Sequence, residues 1–83
     1  MEIIIRKCRT KGALEAIPER NIQMNLNKIK SKFDVIADLP ILVIIKINNY
    51  NITCYKNGKL VIRNCTEVKE ANKIAEEIYR TAE

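Results

Sequence analysis

No histidine occurs in this chain, and only two glycines, two prolines and three cysteines are spread over its 83 residues. Without histidine, a metal centre would need thiolates and carboxylates alone. The odd, unpaired cysteines fit neither a disulfide framework nor a zinc knuckle, and read as small buried or half-buried thiols in a reducing compartment. Scarce glycine and proline beside 47% apolar residues exclude a disordered chain. Long hydrophobic runs are missing too: Leu39 to Ile45 is the longest, contains Pro40, and is far too short to span a bilayer. The opening Met1-Glu2-Ile3-Ile4-Ile5 leads into charge rather than a small-residue cleavage site, so a cytoplasmic location and no membrane partner are expected.

Catalytic constellations are also missing. Cys65 immediately precedes Thr66, where a helix amino terminus can lower a thiol pKa, yet nothing in the sequence sets a general base beside it. No catalytic residue, metal or cofactor is assigned, and the chain is not expected to be an enzyme.

What is there is one small domain, 1–83, of a size that buries about 60–65% of its unfolded surface and gains from a partner subunit. Fifteen Lys and Arg against ten Asp and Glu give a net charge of +5. A moderately basic domain is drawn to phosphate, and the placement of its cations decides more than their number.

Residues 2 to 8 read as a first strand with Ile3 and Ile5 inward and Glu2, Ile4 and Arg6 outward, followed by a basic loop from Arg9 to Gly12. The next segment is ambiguous. Ile22, Met24 and Leu26 alternate as a strand would, whereas Ile22, Leu26, Ile29 and Phe33 follow helical spacing, and Pro18 with Glu19 suits a first helical turn. A helix from Pro18 to Lys32 is the preferred reading and a strand the alternative. Phe33 to Asp38 and Ile41 to Ile47 read as strands. Thr66 to Ala82 reads as a helix capped by Thr66, with Val68, Ala71, Ile74, Ala75, Ile78 and Ala82 along one stripe.

Turn chemistry sets the register of the last three strands. A tight turn at Asn48-Asn49 pairs Ile47 with Tyr50, Ile45 with Ile52 and Val43 with Cys54. A two-residue turn at Asn57-Gly58 would split the apolar sets Ile52/Cys54 and Leu60/Ile62 between opposite faces. A longer loop with Gly58 as a left-handed bulge keeps them together by pairing Cys54 with Leu60 and Ile52 with Ile62. The inner face is then Val43, Ile45, Ile47, Tyr50, Ile52, Cys54, Leu60 and Ile62. The outer face carries Leu42, Tyr55 and Lys59, then Ile44, Thr53 and Val61, then Lys46, Asn51 and Arg63, joined by Ile4 and Arg6 from the first strand. Water-facing sheets are usually polar, so this apolar centre with basic margins reads as a contact surface. The plainer reading, in which Ile44 and Val61 satisfy β-propensity and Lys59 is a solvated hairpin residue, stands beside it.

The segment Ile52-Thr53-Cys54-Tyr55-Lys56-Asn57-Gly58-Lys59-Leu60-Val61-Ile62 resembles the corresponding hairpin of the amino-terminal domain of ribonuclease HIII and that of the TATA-binding protein repeat, where an aromatic stands three residues before Gly-Lys. A similar hairpin occurs in the tail of some enzymes that activate sulfur-carrier proteins. The resemblance implies an α+β fold, β-α-β-β-β-β-α, a curved antiparallel sheet with two helices packed on one face. It further implies that the outer face docks on a duplex, with Tyr55 as wedge or stacker, Thr53 and Val61 on the groove floor, and Lys46 and Arg63 on phosphate. Pro40 stands where the repeat's other wedge aromatic is expected, Asn64 replaces the usual glycine after the last strand, and one repeat is present, so strong kinking is not implied. The catalytic domain of ribonuclease HIII has no counterpart here.

The expected function is therefore a non-catalytic nucleic-acid-binding module using Arg6, Leu42, Ile44, Lys46, Thr53, Tyr55, Lys59, Val61 and Arg63, with a DNA or RNA–DNA duplex as partner. A protein-interaction or assembly module using the same apolar face is the alternative. A homodimer is expected in either case, because Glu2 to Cys8 leaves an open sheet edge.

Overall fold

A computed structural model describes residues 2–7, 12–20 and 22–82, and among these the chain forms six strands and two helices. The strands are β1 (Ile3–Lys7), β2 (Ala13–Pro18), β3 (Asp34–Asp38), β4 (Leu42–Ile47), β5 (Tyr50–Tyr55) and β6 (Leu60–Arg63); the helices are α1 (Leu26–Lys32) and α2 (Val68–Ala82). All neighbours pair antiparallel in one sheet of order β1-β2-β6-β5-β4-β3. The class is α+β, and its order β-β-α-β-β-β-β-α holds one strand more than the sequence reading. Cys8 and the loop from Arg9 to Lys11 lie outside the described residues.

The added strand is β2, and with it the helix expected over Pro18 to Lys32 shrinks to α1. Ala13, Leu14 and Ala16 are buried because β2 is an internal strand between β1 and β6. Glu19 N–H donates to the Glu2 carbonyl, so Glu2, Ile4 and Arg6 turn their main-chain groups towards β2, and Ile3 opposite Pro18 is a non-hydrogen-bonded pair. The β2–β6 ladder stops at Ala16–Leu60. Pro18 therefore sits where its missing N–H removes no ladder bond.

Helix α1 begins late because Asn25 caps it, its side chain accepting from the N–H groups of Asn27 and Lys28 at 3.1 and 3.3 Å. The preceding segment is held extended: Met24 N–H donates to the Lys56 carbonyl, and Asn25 N–H to the Ala82 carbonyl, one of the acceptors left over at the end of α2. Helix α2 starts at Val68 rather than Thr66, since Glu67 supplies the first helical acceptor, to Ala71 N–H. Val68 is exposed, a correction to the expected stripe; Ala71, Ile74, Ala75, Ile78 and Ala82 are buried as read, and Tyr79 joins them.

Both expected registers are present. Ile47 pairs with Tyr50 and Val43 with Cys54; Cys54 pairs with Leu60 and Ile52 with Ile62. Asn48 takes φ 53° in the first turn and Gly58 φ 101° in the second. The core lies between the helices and the inner face, where Val43, Ile45, Ile52, Leu60 and Ile62 meet Ile29, Ala71, Ala75 and Ile78. No helix among the described residues is long and apolar enough to cross a membrane.

Candidate nucleic-acid interface

With both helices on the inner face, the outer face is built from alternate residues of every strand. One row crosses the whole sheet: Ala37, Ile44, Thr53, Val61, Glu15 and Arg6 are successive cross-strand partners. A second runs Asp34, Lys46, Asn51, Arg63, Ala13. Leu42 opposite Tyr55 opens a third, which Lys59 continues across the bulge. All nine residues expected at the site thus share one face, as the Gly58 register requires.

Their availability differs from the sequence reading. The centre is nearly closed: Thr53 is 6% exposed and Val61 8%. Leu42, Ile44 and Tyr55 are half-buried, whereas Lys46 and Arg63 are exposed. Val61 lies in its row between Thr53 and Glu15, and the side chains gathered at Glu15 close that end of the face.

Glu15 is the residue that sequence reasoning missed. Its carboxylate takes Arg6 Nε at 2.9 Å and Lys59 Nζ at 3.1 Å while its own side chain is only 13% exposed. Hydrogen bonds from Arg6 and then Lys59 hold its carboxyl below the ordinary carboxylate range, more than offsetting the opposing effect of burial. Two of the four cations expected at the face, Arg6 and Lys59, are therefore engaged within the chain by one carboxylate, which cancels one of their two charges. The Lys59 ammonium also lies 5.8 Å from the centroid of the Tyr55 ring, a cation–π contact that holds the aromatic in place. The usable signal was Gly12, which takes φ 80° just ahead of β2: an antiparallel return there sets Glu15 opposite Arg6.

Lys46 and Arg63 form no ion pair among the described residues. They flank Asn51 on adjacent strands, so one edge of the face presents a cation, an amide and a cation in a line. At the other end of the sheet, Pro40 sits exposed in the β3–β4 turn and lines a cavity of about 680 Å³ with Met24, Leu26 and Lys56.

Among the described residues, the thiols of Cys54 and Cys65 are enclosed. Burial pushes Cys54 up to about 12, and Cys65, only 2% exposed, donates to the Glu67 carbonyl at 3.5 Å. No family model, curated protein or solved structure matches the chain.

Proposed function

We propose that the chain is a non-catalytic nucleic-acid-binding module whose outer sheet face docks on a DNA or RNA–DNA duplex. The observation that carries this reading is the line Lys46–Asn51–Arg63, two exposed cations around an amide on an otherwise uncovered face. Lys46 and Arg63 meet phosphate, Asn51 donates to backbone or base edge, and Leu42, Ile44 and Tyr55 supply apolar and stacking contact beside them. The resemblance of the Tyr55-Lys56-Asn57-Gly58-Lys59 hairpin to duplex-binding repeats supports the same assignment. Thr53 and Val61 act as a closed floor rather than as contacts that insert. Arg6 and Lys59 contribute weakly while Glu15 holds them.

Gel shifts with duplex DNA, RNA–DNA hybrid and single strands across salt concentration test it. Two phosphate contacts per chain predict a log–log salt slope of about −2 on B-DNA. Lys46→Ala with Arg63→Ala should abolish binding. Affinity that ignores ionic strength, or that survives the double substitution, overturns the proposal.

A protein or assembly partner on the same face is the second reading, favoured by the Glu15 ion pairs that engage two of the four expected cations. A contact built on Leu42 and Ile44 survives loss of Lys46 and Arg63 but not Ile44→Asp, which separates the two.

A further inference from the structure

The two edges of the sheet are not alike. At β3, the register slips between Val35 and Ala37, leaving Ile36 as an extra residue, and acids stand at both ends of the strand in Asp34 and Asp38. Bulges and charges of this kind blunt an edge against pairing. Strand β1 has no bulge, and its charges, Arg6 and Lys7, stand together at one end of the strand and leave Ile3, Ile4 and Ile5 uninterrupted. Its residues Ile3, Ile5 and Lys7 turn their N–H and C=O groups away from β2, because Glu2, Ile4 and Arg6 face it. Ile4 is 50% exposed on the outer face of that edge.

We propose that two copies of this chain join through antiparallel pairing of their β1 edges about a two-fold axis at Ile4. The register follows from main-chain direction and charge. Only residues with outward-facing groups can exchange hydrogen bonds, so Ile3 of one copy pairs with Ile5 of the other, and Ile5 with Ile3. Ile4 then meets Ile4 of the second copy in a non-hydrogen-bonded pair, where side chains approach most closely. In this register Glu2 lies opposite Arg6 of the second copy, twice by symmetry. Centring on Ile5 instead puts Ile4 against Arg6 and Ile3 against Lys7; centring on Ile3 puts Ile4 against Glu2. Neither alternative makes an opposite-charge pair. Arg6 can serve both acids, since only its Nε is used by Glu15 and its side chain is 62% exposed.

One competent edge per chain makes the assembly close at two copies. The two-fold axis runs perpendicular to the sheet, so the two six-stranded sheets become one, with both outer faces on the same side and all helices on the other. Pairing needs no ligand, and stands whether or not the outer face binds nucleic acid.

Sedimentation equilibrium of the full chain tests this. The expected mass is twice 9.6 kDa, falling to a single chain for Ile4→Lys, which sets like charges on the axis at an exposed site. Wild type remaining monomeric at about 100 µM, near the weak end of specific association, overturns the proposal, as does an Ile4→Lys variant that stays dimeric. Disulfide trapping in a Cys8→Ser background gives an independent readout. A non-hydrogen-bonded pair has Cα atoms about 4.5 Å apart, within the reach of a disulfide, so Ile4→Cys should cross-link on mild oxidation and Ile36→Cys should not. Cross-linking through Ile36→Cys in place of Ile4→Cys puts the interface on the opposite edge and overturns it.

Discussion

The hydroxyl of Tyr79 donates to the Gly58 carbonyl at 2.6 Å, with the Ala16 carbonyl 3.3 Å away as a second acceptor. This ties the last turn of α2 to the loop whose conformation decides which side chains of β6 face outward. Burial raises the Tyr79 phenol well above its ordinary value of 10.0. Tyr79→Phe leaves the buried Gly58 carbonyl without this donor and should cost about 1–3 kcal/mol, read as a lower denaturant midpoint at unchanged slope. A group held protonated in the fold contributes fully below its unfolded pKa and loses that contribution as pH rises through the folded value. The deficit of Tyr79→Phe should therefore shrink above about pH 10.

Gly58 is also enclosed by side chains of the segment around Pro18 and Ile22. A Cβ there would stand 2.9 Å from Ile22 Cγ1 and 2.9 Å from Pro18 Cγ, and the residue already takes φ 101°. Gly58→Ala combines left-handed strain of about 1–2 kcal/mol with overpacking of about 1–3 kcal/mol. A loss of about 2–5 kcal/mol in equilibrium unfolding is expected from adding the two. A neutral result would mean that the bulge relaxes and the register of β6 is not anchored there.

The same bulge explains what the sequence could reveal. A two-residue turn would split Ile52, Cys54, Leu60 and Ile62 between faces, and Gly58 supplies the left-handed residue of the longer loop that keeps them together, so the pairing of β5 and β6 follows from side-chain parity and local turn residues. Strand β2 had no such constraint. Its inward positions are Leu14 and Ala16 and its outward ones Ala13, Glu15 and Ile17, so small alanines on both faces blur the alternation, and Pro18 suits the end of a strand as well as the start of a helix. The helical spacing of Ile22, Leu26, Ile29 and Phe33 is real over α1 alone; Ile22 instead packs over Gly58, a contact set by tertiary structure. Missing β2 also hid Glu15, and so the charge balance of the outer face differs from the sequence reading although the nine residues read onto it do share it. Val68 was assigned inward by spacing, but the helix begins there and the core lies further along it.

Helix α1 has only seven residues and one fully buried side chain, Ile29, so its start depends on Asn25. Helices this short are marginal without tertiary support. Asn25→Ala should cost about 1 kcal/mol through loss of the cap, while Asn25→Asp should hold or improve stability because its charge faces the positive helix end. Hydrogen exchange would show the effect first at Lys28 and Ile29, whose N–H groups bond back to Asn25.

Glu15 links stability to binding, and Glu15→Gln separates the two. A carboxyl whose folded pKa is depressed stabilises the fold above its unfolded value of 4.5, and that contribution is lost as pH falls through the lower folded value. Because Arg6 and Lys59 are both well solvated, the two ion pairs together should be worth no more than about 1 kcal/mol near neutral pH. Wild type and Glu15→Gln should converge in acid, where neither carries the charge. Binding should move the other way. Releasing Arg6 and Lys59 adds two cations to the face beside Tyr55, so the salt slope on duplex DNA should steepen from about −2 to about −4 per chain, with tighter binding at low salt. If the outer face instead takes a protein partner through Leu42 and Ile44, the substitution leaves its salt dependence unchanged, and a single titration of Glu15→Gln against wild type decides between the two kinds of partner.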